Sequence, residues 1–511
     1  MNNIFCTMKW FPYIALGLLC VACKPVTNQP DTPPATNDTT IQTDTVPQSL
    51  STRQEQYRPQ IHYTVHHNWM NDPNGMVFDG TRWHLYYQFN PNGENVDFGG
   101  MSWGHASSLD LVHWEEHETV LYPDEMGSIF SGCGIIDKRN VSGFGENSIL
   151  AFYTSAAGYQ QISLAVSTDG GMTYQKYAGN PVVGSSLPEF RDPKVVWDED
   201  HQKYVMTIAR GNQHGLEIWS STNLVNWQFH GIFFYPDLAR FNNGQWECPE
   251  LIPFEVNGER QWVMLMSINP GGKYGFSGML YWLGTFDGNM FYPTEEPRWL
   301  DGGMDCYAGV TFDNAPNNER IMMAWMNSWD YCTVVPPRPW KSAFTFPRTL
   351  TLEERQGNLV LCQRPIAQLR SLSVDSAQVV DAWMAEMTVS MAENTDIVLF
   401  NEQGEEYTIT VDVQNNRLVA HRTAQSGAYL FSANFAIPTM SQPLSGIDGV
   451  PYKASNLDLT IIVDHSSVEV FANNGACTIT NTVYPTAIYS DLVLSTTPVS
   501  LQRTDLETIW K

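Results

Sequence analysis

The sequence predicts an all-β chain, a five-bladed β-propeller followed by a C-terminal β-sandwich. Three observations predict it. A turn signature recurs at nearly constant spacing. Apolar, β-branched runs precede each recurrence. Beyond residue 350 the pattern changes to short alternating strands, and long amphipathic helical patterns are hard to find anywhere.

The signature is an Asp or Asn followed four residues later by an aromatic, with Thr173-Tyr174 as the variant case. It begins at Asp110, Asp169, Asn223 and Asp287, which lie 59, 54 and 64 residues apart. Self-similarity of this period marks solenoids, arrays or propellers. Runs such as Ile162-Ser163-Leu164-Ala165-Val166 and Leu216-Glu217-Ile218-Trp219 read as strands, and the Asp, Asn and Gly residues after them read as turns.

Three short acidic motifs fall on this repeat: Trp69-Met70-Asn71-Asp72-Pro73-Asn74-Gly75, Phe190-Arg191-Asp192-Pro193 and Trp246-Glu247-Cys248-Pro249-Glu250. Asp72, Ser131, Asp192, Glu247 and Asp305 occupy similar phases of successive units. In a propeller of four-stranded blades, equivalent positions face one central channel. The sequence therefore predicts a funnel lined by these five residues. Like charges gathered in one site are costly, so the grouping points to chemistry or to a metal.

The motifs then identify a family. Asn68 to Gly75, Tyr87-Gln88-Phe89-Asn90-Pro91, Trp103-Gly104-His105-Ala106, Phe130-Ser131-Gly132, Arg191-Asp192-Pro193 and Glu247-Cys248-Pro249 resemble, in order, the motifs of glycoside hydrolase family 32, the fructan hydrolases and invertases. Trp340-Lys341, Pro347-Arg348 and Asp464 to Phe471 extend the resemblance, which covers roughly residues 57 to 511. It implies a retaining hydrolase of β-D-fructofuranosidic bonds, with Asp72 as nucleophile, Glu247 as general acid/base and Asp192 as transition-state stabiliser. It further implies Asn71, Gln88, Ser131, Arg191 and Asp305 as binders of sugar hydroxyls. Trp103, Phe130 and Trp325 would form the apolar wall. Such hydrolysis needs two carboxyl groups, roughly 5–5.5 Å apart in retaining enzymes. Two other readings stand beside it, a fructosyltransferase and a non-catalytic fructan-binding lipoprotein. The three catalytic carboxylates argue against the latter.

Two departures from the family pattern bear on substrate. Phe98-Gly99-Gly100-Met101 stands where Trp-Gly-Asn-Met is usual, and Cys306-Tyr307-Ala308 where Phe-Tyr-Ala is usual. The resemblance implies levan, inulin, fructo-oligosaccharides or sucrose as substrate; loss of bulk at Gly100 and Cys306 could open the pocket toward a cleft, which would favour endo cleavage of a polymer.

Composition narrows the partners. A net charge of −26 over 511 residues excludes a nucleic-acid surface, which must be basic. Seventeen Trp, 22 Tyr and 24 Phe suit stacking on sugar faces. No Cys-x-x-Cys or His/Cys ligand spacing occurs, and the resemblance to the fructan hydrolases implies that neither a cofactor nor a metal is needed. Lys9 followed by the apolar stretch Trp10 to Ala22 reads as a signal segment, and Ala22-Cys23 as a lipoprotein site with Cys23 lipidated. The expected organisation is a signal peptide over 1–23, a flexible Thr/Pro-rich tether over 24–56 and a propeller over 57–350. A connector over 351–370 and a sandwich over 371–511 follow. The expected setting is an exported, membrane-anchored enzyme on the outer membrane, facing the surface or the periplasm.

Overall fold

A computed structural model describes residues 53–235, 244–374, 382–422, 431–436 and 439–510. The signal segment, Cys23 and most of the tether lie outside the described residues.

Five antiparallel sheets form the propeller blades. Their innermost strands are Asn68–Phe78, Ser128–Asp137, Arg191–Asp198, Gln245–Val256 and Tyr307–Thr311, each leading its own sheet. These five strands touch one another in a ring. The ring closes between the fifth and first blades, where the Phe78 amide donates to the Asp313 carbonyl at 3.0 Å. Trp340–Lys341 also adds a parallel strand beside Asn68 and Trp69. Apolar side chains from facing sheets fill the gaps between blades, which is the burial that makes this architecture stable.

The recurring signature is an Asx turn between the third and fourth strands of a blade. Asp110 Oδ1 accepts from the amides of Val112 and His113 at 2.9 and 2.8 Å. Asn223 Oδ1 does the same for Val225 and Asn226 at 3.1 and 2.8 Å, and Asp287 Oδ1 for Asn289 and Met290 at 2.9 and 2.8 Å. A short polar side chain that satisfies its own turn amides explains why Asp or Asn recurs there.

The fifth blade departs from this rule, and the expected boundaries shift with it. Its outer strands are Arg348–Arg355 and Asn358–Pro365, joined through Gln356-Gly357. Residues 351–365, expected as connector, therefore belong to the propeller, which ends at Pro365 rather than at 350. A short 3-10 helix, Ala367–Leu372, leads onward. The signature stops one hairpin early because this turn lacks an Asx residue.

The C-terminal region is a sandwich of two sheets. One contains Ala382–Ser390, Asn456–Asp464, Ser467–Ala472 and Cys477–Thr482; the other contains Thr395–Phe400, Glu406–Asp412 and Arg417–Arg422. Leu457, Leu459, Ile461 and Val463 are buried between them, as their alternation with polar residues requires.

Buried charges join sandwich to propeller. Arg348 of the fifth blade pairs with Glu469 of the sandwich and donates to Thr480 Oγ1 at 2.6 Å. His62 lies between Asp464 and Glu469, with its two ring nitrogens 2.8 and 2.9 Å from their oxygens. Burial alone would lower the His62 pKa, but the hydrogen bonds and charges of Asp464 and Glu469 outweigh it and raise it to about 9.

Candidate active site

Each innermost strand breaks its pairing register near a candidate site residue. The irregularities fall between Met70 and Pro73, between Phe130 and Gly132, and between Glu247 and Glu250. In the third and fifth blades they span Asp192 and Ala308. Bulges of this kind re-aim side chains. Asp192, Cys248 and Ala308 take left-handed backbone angles, φ 62°, 48° and 53°. Arg191, Glu247 and Tyr307 each precede one of these residues and so share a phase of the repeat.

Asp72 is buried. Its Oδ2 accepts from Ser131 Oγ at 2.6 Å and its Oδ1 from Asn71 Nδ2 at 3.0 Å. Burial raises the Asp72 pKa most, the Ser131 hydrogen bond opposes it, and the charge of Glu247 adds to it. Asn71 is itself fixed, because its Oδ1 accepts from Trp69 Nε1 at 2.7 Å. Asp192 is equally buried. Its Oδ2 accepts from the Cys248 amide at 3.0 Å, while its own amide donates to Thr154 Oγ1 at 3.0 Å. The Asp192 pKa rises to about 7: burial raises it most, Arg191 opposes that, and Glu247 and Asp72 reinforce it. The Cys248 sulfur touches both carboxylates, 3.8 Å from Asp72 Oδ2 and 3.7 Å from Asp192 Oδ2.

Arg191 faces Glu247 more closely than Asp192. Its Nε and Nη2 donate to Glu247 Oε1 at 3.1 and 2.7 Å, whereas Nε stands 3.8 Å from Asp192 Oδ2. The other oxygen of Glu247 accepts from the Tyr307 hydroxyl. Tyr307 lies 60 residues after Glu247, and Glu247 lies 56 after Arg191. That spacing was the signal available in the sequence for Tyr307, which the acidic series passed over in favour of Asp305.

Asp305 does not line the funnel with the other carboxylates, contrary to expectation. It is fully buried and turned toward the sandwich. Its Oδ1 accepts from the Tyr331 hydroxyl at 2.5 Å and its Oδ2 from Arg422 Nη1 and the Thr482 amide at 3.2 and 2.9 Å. The innermost strand begins at Tyr307, two residues later, and this displaces Asp305 from the inward-facing phase. The structure does not bring Asp305 together with the other three carboxylates.

The apolar wall also differs from expectation. Trp103 is fully buried, packs against Tyr86 and Tyr153, and donates from Nε1 to the Phe130 carbonyl at 3.1 Å. Trp325 is fully buried as well, against Trp69, Tyr307 and Trp329. Neither ring has exposed surface. Phe130 is partly exposed, and its ring meets Phe98, which in turn meets Trp329, each pair 6.1 Å apart. Phe98 is 60% exposed, so this aromatic row reaches solvent. Gln88 is nearly buried, and its Nε2, like Asn74 Nδ2, has no hydrogen-bond partner among the described residues.

The two departures from the family pattern have local structural roles. Cys306 is buried among Met279, Leu300 and Leu350 between blades. At Gly100 a Cβ would stand 2.8 Å from Asp97 Oδ2, within a turn that the Asp97 carbonyl closes by accepting from the Gly100 amide at 2.9 Å. The small residue serves the turn that presents Phe98.

Residues 62–365 match the glycosyl hydrolases family 32 N-terminal domain, and residues 352–510 match the glycosyl hydrolases family 32 C-terminal domain. The chain belongs to glycoside hydrolase family 32. It is a glycosidase of the β-fructofuranosidase type. A levanase of Bacillus subtilis is 38% identical over 472 residues, 84% of this chain and 67% of that protein. An extracellular exo-inulinase of Meyerozyma guilliermondii is 34% identical, covering 84% and 90%. Among solved structures, an exo-inulinase of Aspergillus awamori superposes with a TM-score of 0.82 at 29% identity, covering 89% of this chain and 99% of that one. A β-fructofuranosidase of Schwanniomyces occidentalis complexed with fructosyl-erythritol gives 0.76 at 30% identity, covering 90% and 96%.

Proposed function

We propose that this family 32 enzyme hydrolyses β-D-fructofuranosidic bonds in levan, inulin or sucrose with retention, releasing fructose from chain ends. The observation that carries the proposal is the convergence of Asp72, Asp192 and Glu247 around Cys248 and Arg191. Asp72 attacks the anomeric carbon, the bond to the leaving oxygen breaks, and Glu247 gives that oxygen its proton. Water then attacks the same carbon, Glu247 takes its proton, and the bond to Asp72 breaks. The Tyr307 hydroxyl can donate to Glu247 as a carboxylate or accept from it as an acid, so it serves both halves. Asp192 is assigned to the positive charge of the oxocarbenium-like state and to fructosyl hydroxyls. The donors of Gln88 and Asn74 are assigned to further hydroxyls.

End-wise release is favoured over endo cleavage for two reasons. Phe98, Phe130 and Trp329 wall the mouth with aromatic rings, and several relatives are named exo-inulinases. We also propose export, with Cys23 as the lipid anchor; the sequence of the leader supports this, as do relatives described as extracellular.

Chromatography of products over time from levan and from inulin tests the reading. Fructose alone from the earliest samples is expected. A ladder of oligosaccharides would establish endo action instead, and no product from either polymer or from sucrose would overturn the assignment.

A further inference from the structure

The loop between Met326 and Trp340 carries Trp329, the member of the aromatic row that stands on the general acid's side. Glu247 accepts from Tyr307, the Tyr307 ring packs on Trp325 at 6.3 Å, and Trp325 packs on Trp329 at 5.0 Å. The loop is tied on three sides. The Trp329 amide donates to Ser277 Oγ of the fourth blade at 3.0 Å. Lys341 Nζ donates to the carbonyls of Thr333 and Val335 at 3.0 and 2.8 Å. The third tie crosses to the sandwich. Two residues beyond Trp329, the Tyr331 hydroxyl donates to Asp305 Oδ1, whose other oxygen accepts from Arg422 Nη1 at 3.2 Å. The Arg422 guanidinium lies 4.0 Å over the Phe435 ring, and Phe435 packs edge-on against Tyr331 at 5.1 Å.

We propose that Arg422, a residue of the sandwich, is a positioning residue for the leaving-group side of the site: through Asp305 and Tyr331 it holds the loop that places Trp329 in the aromatic wall. The proposal rests on the fructan-hydrolase reading above. A desolvated guanidinium bonded to a buried carboxylate has few alternative geometries, so it fixes what it touches more strongly than a surface pair would. The sandwich thereby shapes the subsite for the second sugar without touching substrate. Asp305, absent from the funnel, has its role in this relay.

The test is a double-mutant cycle in the full-length enzyme with Tyr331→Phe, Trp329→Leu and the pair. Each is assayed on a fructo-oligosaccharide and on an aryl β-fructofuranoside. Tyr331→Phe is expected to raise KM for the oligosaccharide by roughly 3- to 30-fold, with kcat and the aryl substrate changed less than about twofold. In the Trp329→Leu background the same change should have no further effect. Arg422→Lys, which keeps the charge but loses the planar fork, should shift KM in the same direction. Acrylamide quenching of tryptophan emission reads the loop without turnover, and it should rise in Tyr331→Phe only while Trp329 is present. Equal shifts on both substrates, a full effect of Tyr331→Phe in the Trp329→Leu background, or unchanged quenching would overturn the proposal. Failure of the fructan reading would show separately, as a wild-type enzyme inactive on the oligosaccharide.

Discussion

Ser131 favours the charged form of Asp72. Its hydroxyl stands 2.6 Å from Asp72 Oδ2, and burial pushes the carboxyl's pKa up while this bond holds it down. A hydrogen bond to a charged group contributes about 1.5–3 kcal/mol, so Ser131→Ala should lower kcat/KM by roughly 10- to 100-fold. The sign of the pH effect follows. Without the donor Asp72 holds its proton to higher pH, so the acid limb of the kcat/KM profile moves upward. An acid limb that stays in place would place the ionisation of that limb on another group. At this scale the motifs around Asp72, Asp192 and Glu247 were legible because short runs of unusual residues travel together. Trp329 and Tyr331 were not, because nothing local to Ser328-Trp329-Asp330-Tyr331 marks it as a loop folded over the site.

The bulged inner strand is the element that aims the chemistry. Gly75 follows Asp72 at φ 56°, and a Cβ there would stand 2.6 Å from the Tyr86 ring and 2.9 Å from that of Trp103. Gly75→Ala should therefore cost both backbone strain of about 1–2 kcal/mol and the displacement of two buried rings. The expected result is a lower melting temperature together with a fall in kcat larger than any change in KM, because the strand that carries Asp72 shifts. A stable, fully active variant would mean that the strand tolerates movement and that its bulge does not set the position of Asp72. The periodicity of the Asx turns made four blades readable from the sequence, since each turn satisfies itself locally. The fifth blade's end was not readable, because the Gln356-Gly357 hairpin uses glycine's backbone freedom instead of a side-chain acceptor. The register shifts themselves leave no separate mark in the sequence, because they depend on pairing with the neighbouring strand.

Across the whole molecule, buried ions hold the sandwich on the propeller and join their stabilities. His62, Asp464, Glu469 and Arg348 have almost no exposed surface. In the folded chain the His62 pKa rises from 6.5 to about 9, against burial, through Asp464 and Glu469. Its contribution to stability is therefore complete below pH 6.5 and is lost as pH rises through about 9. The pKa values of Asp464 and Glu469 are lowered although burial, the largest influence, opposes this; His62 lowers the first and Arg348 the second. Their contributions are present above the ordinary carboxylate range and are lost as pH falls. Melting temperatures measured across pH should fall on both sides of this window, and His62→Gln should flatten the alkaline fall relative to wild type. Parallel profiles for the two proteins would show that the cluster does not set the alkaline limit. The propeller-plus-sandwich architecture was legible from the change of pattern after Arg348, whereas the coupling was not, since its partners lie as much as 407 residues apart.

In the mechanism we propose, Asp72 forms a covalent fructosyl intermediate that Glu247 helps to make and break. The most direct test is mass spectrometry of peptides from the Glu247→Gln enzyme, quenched during turnover of an aryl β-fructofuranoside with a good leaving group. Such a leaving group departs without much help from an acid, while the second step still needs a base, so the intermediate should accumulate. The expected result is a mass gain of one fructosyl residue on the peptide that contains Asp72 and on no other. An adduct on a different carboxylate, or turnover with no adduct on Asp72, would contradict it.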